Sequence, residues 1–268
     1  MHLDVVDLKA FYYRTRLGRG AQSALQRSLR TLWPDVSGQS VVGFGFAAPF
    51  LRPFLGEAER VMSFMPAPQG VMAWPAGQPN LSALVEETHW PMQAASIDRI
   101  IVAHGLETCE RPGALLEEIW RVLAPGGRVV FIVPNRTGIW AQRDVTPFGH
   151  GRPYSFGQLD AQLRTHRFEP EEHTAALYMP PSHRRFLIRM QGGAERLGRR
   201  LKAYRLGGAL IVEAVKQVHA LPRGPKKEAR SPIALLGGLA APQPKPSPGR
   251  AGLVSPAQER GIRPHPVR

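Results

Sequence analysis

An open α/β sheet, mostly parallel and doubly wound with helices on both faces, is the fold class that this sequence predicts. Three observations predict it. Ile97 to Asn135 reads as strand, loop, amphipathic helix, tight turn and strand in one uninterrupted unit. The two strands of that unit, through Ile100 to Val102 and Val129 to Val133, are continuous apolar runs, as expected of strands covered on both faces. Upstream, Val41 and Val42 lead into Gly43-Phe44-Gly45, an apolar strand that ends at a glycine able to bring main chain close to a ligand.

The elements follow in chain order. The first forty residues predict two helices, Leu8 to Tyr13 and Gly20 to Trp33, with Pro34-Asp35 breaking the second. After the strand at Val41, Pro49 suits the first turn of a helix because its missing N–H is not needed there. Arg60 to Met65 predicts a buried strand. In the central unit Leu115, Leu116, Ile119, Val122 and Leu123 recur at helical spacing, while Glu117, Glu118 and Arg121 fall on the other side. Pro125, Gly126 and Gly127 stop the helix and return the chain to the sheet. The acidic stretch Glu169, Glu171, Glu172 with His173 reads as a solvated loop, since no second ligand set accompanies it as a metal site would need. From His183 to Tyr204 an apolar stripe with a crowded arginine face predicts a basic helix packed on the sheet; a membrane-surface helix is the alternative. Ala209 to Ala214 predicts a last strand after the Gly207-Gly208 turn.

Composition bounds the class. A chain of 268 residues can bury one good-sized core. Cys109 is the single cysteine, which excludes an intrachain disulfide and a cysteine-built zinc site; no metal is expected. There is no apolar run of transmembrane length and no secretory signal order, so a cytoplasmic location is expected. The net charge is +14, from 35 Lys and Arg against 21 Asp and Glu. Half of it lies in Leu221 to Arg268, where nine Lys or Arg face two Glu and ten prolines occur. That stretch cannot bury enough apolar surface to offset ordering and is expected to be a disordered, Pro-rich basic tail. It is either a solubilising extension or a weak contact for nucleic acid or an anionic membrane. The expected organisation is therefore a helical N-terminal cover at 1–38, one α/β domain at 39–220 and the tail at 221–268.

The central unit resembles the later half of a class I S-adenosylmethionine-dependent methyltransferase domain. Ile97-Asp98 holds the place of the hydrophobic residue and Asp before the family's fourth strand, His104 and Glu107 those of the His and Glu after it, and Leu123-Ala124-Pro125-Gly126-Gly127 the Leu-x-Pro-Gly-Gly at the helix end. Val133-Pro134-Asn135 completes the pattern. Trp90-Pro91-Met92 resembles the family's Leu-Pro-Phe segment and puts Glu86, with Glu87 beside it, where the family has an acid near the adenine. In the family's glycine-rich turn Gly45 matches the first glycine, while Gly43 stands for the acid, Ala47 for the second glycine and Pro49 for the third. The carboxylate that ends the second strand and takes the ribose hydroxyls is absent, with Ser63, Phe64 and Met65 there instead. A dinucleotide site would need that acid and a complete Gly-x-Gly-x-x-Gly.

The resemblance implies S-adenosylmethionine as cofactor, with Gly43, Gly45, Ala47, Glu86, Glu87 and His104 on its side, and a small-molecule methyl acceptor. A sulfonium is already activated, so methyl transfer asks for alignment and exclusion of water, with a base only where the acceptor must lose a proton. His104 is a candidate for that base. The loop Thr146 to Ser155 is dense in glycine and proline and presents His150, Arg152 and Tyr154. His150 and Tyr154 are candidates to move or orient a proton, Arg152 to pair an acidic acceptor, and Trp140 to shield the pocket. Tyr12 and Tyr13 would line a lid formed by the N-terminal helices. The alternative is a protein that kept the sheet, lost the cofactor and binds nucleic acid, an anionic membrane or a protein through its basic surfaces.

Overall fold

A computed structural model describes residues 3–142, 144–181, 193, 195, 197, 198 and 204–218. The chain begins with a short helix α1 (Val5–Lys9), a π-helical turn (Ala10–Arg14) and helix α2 (Arg16–Leu32). The two expected N-terminal helices are thus displaced: Leu8 to Tyr13 spans the junction of α1 and the π turn, and α2 starts at Arg16 because Thr15 caps it by accepting from the Gly18 N–H. The strands are β1 (Ser40–Gly45), β2 (Arg60–Pro66), β3 (Ser82–Val85), β4 (Ile97–Ala103), β5 (Leu123–Pro134), β6 (Phe168–Ala176) and β7 (Ala209–Lys216). Helices α3 (Ala48–Leu51), α4 (Pro112–Val122) and α5 (Phe156–Thr165) lie between them.

The strands form one sheet in the order β3-β2-β1-β4-β5-β7-β6. The first five run parallel; β7 is antiparallel to both β5 and β6 and sits between them. Parity along each strand divides the core into two layers. Val41, Ile101, Val130 and Ile211 pack with α1, α2 and α3, whereas Val42, Ile100, Val129 and Val212 pack with α4 and α5.

Polar anchors set the ends of the strands. Asp98 accepts from the Ser40 N–H and hydroxyl (2.9 and 2.8 Å), which ties the start of β1 to β4. Buried Asn135 donates to the main-chain oxygens of Tyr204 and Gly207 and fixes the turn that feeds β7. Glu213 of β7 accepts from the Trp33 indole (2.6 Å) and from Arg128 (3.0 Å), with Arg99 at 3.9 Å, so that the end of α2 is held to the far half of the sheet.

Three expectations need correction. The acidic stretch around Glu171 is strand β6, where Glu169 pairs with Arg164 and Glu171 with Arg128 (2.6 Å each). Glu118 is not on a solvated helix face: it is buried and accepts from the Trp90 N–H and from Arg121. The chain re-enters the sheet at Leu123, ahead of the Pro-Gly-Gly turn, and the register against β4 shifts there. The expected basic helix lies almost wholly outside the described residues, as does the tail from Leu221. Among the described residues no helix is long and apolar enough to cross a membrane.

Candidate active site at the carboxyl edge of β1 and β4

The strand order reverses between β1 and β4, since β1 leads to β2 on one side and β4 to β5 on the other. Open α/β sheets bind ligands in the crevice at such a point. Gly45 ends β1 with φ +76, and a side chain there would strike the Ala103 main-chain oxygen. That close approach is stitched by the Phe46 N–H donating to Ala103 O (2.8 Å).

His104 follows β4 directly. It is 1% exposed and takes φ +51, a left-handed conformation that is uncommon outside glycine and clusters at functional sites. Its ring is engaged at both nitrogens: Tyr12 Oη lies 2.6 Å from Nε2 and Glu107 Oε1 lies 3.1 Å from Nδ1. Burial, then the neighbouring Glu107 carboxylate, pushes the Tyr12 pKa well above the usual phenol value. Tyr12 therefore keeps its proton and donates it to Nε2, which assigns the Nδ1–H tautomer donating to Glu107. The Gln69 amide donates to the His104 main-chain oxygen (2.9 Å), and the Gln69 main-chain oxygen accepts from the Val5 N–H at the start of α1. The N-terminal helices are in this way joined to the loop after β4 at two points, and Tyr12 stacks on Phe46 (5.9 Å) and meets Phe50 edge-on.

The loop at His150 packs on the same group. Phe148 meets the His104 ring edge-on (4.9 Å) and Trp140 lies behind it. Gly151, at φ +77, comes so near Glu107 that a Cβ there would lie 2.8 Å from the Glu107 main-chain oxygen, and the Arg152 N–H donates to that oxygen (2.9 Å). Tyr154 is half-buried; burial, then Glu107, pushes its phenol up to about 12, so it is a hydrogen-bond donor at neutral pH. His150 is half-buried and Arg152 exposed. Trp140 is enclosed and its indole donates to Met179 O (2.7 Å). His104, Glu107 and the loop are thus brought together, whereas Glu86 and Glu87 follow β3 and make other contacts. Glu86 is exposed and 3.8 Å from His89; Glu87 accepts from the Cys109 thiol.

The segment after β3 is clamped from α4. Glu118 holds the Trp90 N–H, and Arg121 donates to Met92 O and Trp90 O. Burial opposes ionisation of Glu118, but Arg121 and the Trp90 N–H outweigh it and leave its pKa below the usual 4.5. A lowered carboxylate pKa stabilises above the unfolded value and loses that contribution as pH falls through the folded value. Urea unfolding is therefore expected to show Glu118→Gln less stable than the parent by about 1 kcal/mol at pH 7, with the difference closing below pH 4.5.

At Gly43 a Cβ would lie 2.6 Å from the Ala47 Cβ and 2.7 Å from the Leu51 Cδ1. Helix α3 approaches β1 so closely that no acid fits where the resemblance places one. Residues 42–131 match the family model for a methyltransferase domain. The strand order agrees with that match. This chain has the fold of the class I S-adenosylmethionine-dependent methyltransferases. Solved methyltransferase structures share the fold. An S-adenosylmethionine-dependent methyltransferase from Thermotoga maritima is 15% identical with a TM-score of 0.55, the match covering 80% of this chain and 96% of that one. A second, from Mesorhizobium loti, is 16% identical with a TM-score of 0.52 over 72% and 98% of the two chains. A methyltransferase from Haloferax volcanii, solved with the Trm112 methyltransferase activator, is 17% identical with a TM-score of 0.55 over 81% and 98%. No curated protein matches the sequence.

The cofactor of the Thermotoga maritima and Mesorhizobium loti methyltransferases is S-adenosylmethionine. The present chain fits it at the tight β1 turn, where Gly45 keeps the left-handed main chain. It also fits it around His104, where the buried oxygens Gln69 Oε1 and Glu107 Oε2 have no hydrogen-bond partner among the described residues. Sequence reasoning found His104 and Glu107 through the motif. Gln69 carried no local signal, since its partner lies 35 residues away.

Proposed function

We propose that this chain transfers a methyl group from S-adenosylmethionine to a small-molecule acceptor that gives up a proton. The carrying observation is the buried chain Tyr12–His104–Glu107 at the carboxyl edge of β4. The cofactor supplies a methyl group already activated on a sulfonium. The protein then has to orient the acceptor, exclude water and hold its proton. Glu107 keeps the Nδ1–H tautomer and leaves Nε2 as the basic nitrogen; an acceptor hydroxyl that takes the place of Tyr12 there gives its proton to His104, and Glu107 stabilises the imidazolium formed.

The remaining residues divide by position. Tyr154, held as a phenol, donates to the acceptor oxygen, with His150 beside it, and Arg152 pairs an acidic group on the acceptor. Phe148 and Trp140 keep water from the imidazole. Gly45 and Ala47 line the turn on the cofactor side, next to Gly43, and Glu86 and Glu87 lie toward the adenine. The N-terminal helices cover the crevice. Support comes from the methyltransferase fold, from the burial of His104 and from its left-handed backbone.

Calorimetric titration of the full chain with S-adenosylhomocysteine tests the reading. Binding in the micromolar range is expected, followed by methyl transfer to hydroxyl-bearing acceptors that His104→Ala slows about a hundredfold or more. No heat at millimolar ligand, in protein that unfolds cooperatively, would sink it.

A further inference from the structure

The position of the acid after β1 is not merely vacant of charge. Ala47 and Leu51 close it, at 2.6 and 2.7 Å from where a Gly43 side chain would begin. An ammonium entering a buried crevice needs acceptors, and preferably a carboxylate, because an unpaired buried charge is costly. Two such acceptors stand beside His104. Gln69 is 5% exposed and Glu107 2% exposed, and Gln69 Oε1 and Glu107 Oε2 are both buried without a hydrogen-bond partner among the described residues. Neither oxygen is free to turn toward solvent. The Gln69 amide is pinned by its Nε2, which donates to His104 O, and the Glu107 carboxylate by its Oε1 on His104 Nδ1. A buried acceptor left unmatched is costly, so a pair anchored to one residue in a strained conformation marks a place for a donor.

We propose that Gln69 Oε1 and Glu107 Oε2 receive the α-ammonium of S-adenosylmethionine, in place of the carboxylate that Gly43 excludes. The proposal rests on the methyltransferase reading above. Glu107 supplies the balancing charge, and Gln69 a second, neutral acceptor on the segment that also holds the start of α1 through Val5.

Two ligands separate this subsite from the rest of the crevice. S-adenosylhomocysteine carries the ammonium; methylthioadenosine keeps adenosine and sulfur and lacks the amino acid. Glu107→Gln still accepts from His104 but presents an amide donor where Oε2 stood, and Gln69→Met removes the second acceptor. Calorimetry on the full chain is expected to show each variant binding S-adenosylhomocysteine about tenfold or more weakly, with methylthioadenosine unchanged. Unchanged S-adenosylhomocysteine affinity, or equal losses for both ligands, would overturn the proposal. Should either variant fail to fold, the parent protein decides: S-adenosylhomocysteine stripped of its amino group is expected to bind at least tenfold more weakly than the intact ligand, and equal binding would overturn the subsite while leaving the methyltransferase reading in place. A parent that binds none of the three ligands overturns both.

Discussion

Glu213→Ala is expected to cost about 3–5 kcal/mol of folding stability, the range for breaking a buried ion pair by removing one partner. Glu213 is 3% exposed and serves three groups: the Trp33 indole at 2.6 Å, Arg128 at 3.0 Å and Arg99 at 3.9 Å. Burial and the nearby Arg128 already lower the Arg99 pKa, while Glu213 works in the opposite direction. Without Glu213, two guanidiniums face each other across β4 and β5 with Trp33 unmatched, and Arg128 retains only Glu171. The midpoint of thermal unfolding should fall on the order of 10 °C. Glu213→Gln, which keeps an acceptor for Trp33, should recover part of the loss. A change below about 1 kcal/mol in either variant would show that the cluster is solvated and that Trp33 is held by packing alone.

Gly43→Asp, which restores the family's acid, is expected to be worse. The Cβ alone overpacks the space against Ala47 and Leu51, a penalty of about 1–3 kcal/mol, since α3 would have to move off β1. Gly43→Ala isolates that part. The carboxylate then lies in a strand whose six residues are all buried, which adds several kcal/mol. Denaturant unfolding should rank parent above Gly43→Ala above Gly43→Asp, with the last losing its cooperative transition. If Gly43→Asp folds normally and binds S-adenosylhomocysteine more tightly, α3 yields easily and the closed position is not closed in solution.

How much of this was legible depended on how local each signal is. The unit from Ile97 to Asn135 could be read nearly complete because its apolar spacing, its Pro-Gly-Gly turn and its motif residues lie within one stretch of chain. The last strand was legible too, as a plain apolar run after a glycine pair. Strand β6 was not, since Glu169, Glu171 and Glu172 mask a half-exposed strand whose identity comes from pairing with β7. Helix α5 buries only Leu159 and Leu163, too few apolar positions to draw a stripe, although Ser155 and Gln158 form a capping box at its start. In the site, the motif pointed to His104 and Glu107, but the pairing of Tyr12 with His104 joins residues 92 apart and left no trace in spacing. Glu118 looked like surface because helical periodicity places a side chain on a face without saying what covers that face; here Trp90 and its neighbours do.

The insertion of β7 between β5 and β6 also bears on how the molecule is made. It is the last of the seven described strands in sequence, yet it fills an interior place in the sheet. As the chain emerges in order, β5 and β6 both wait with open hydrogen-bonding edges until residues 209–216 arrive. Trp33 waits as well, because its acceptor is 180 residues downstream. Such distant pairings are slow to form and leave apolar edges exposed in the meantime. The end of α2 is therefore fastened last, although it is synthesised early.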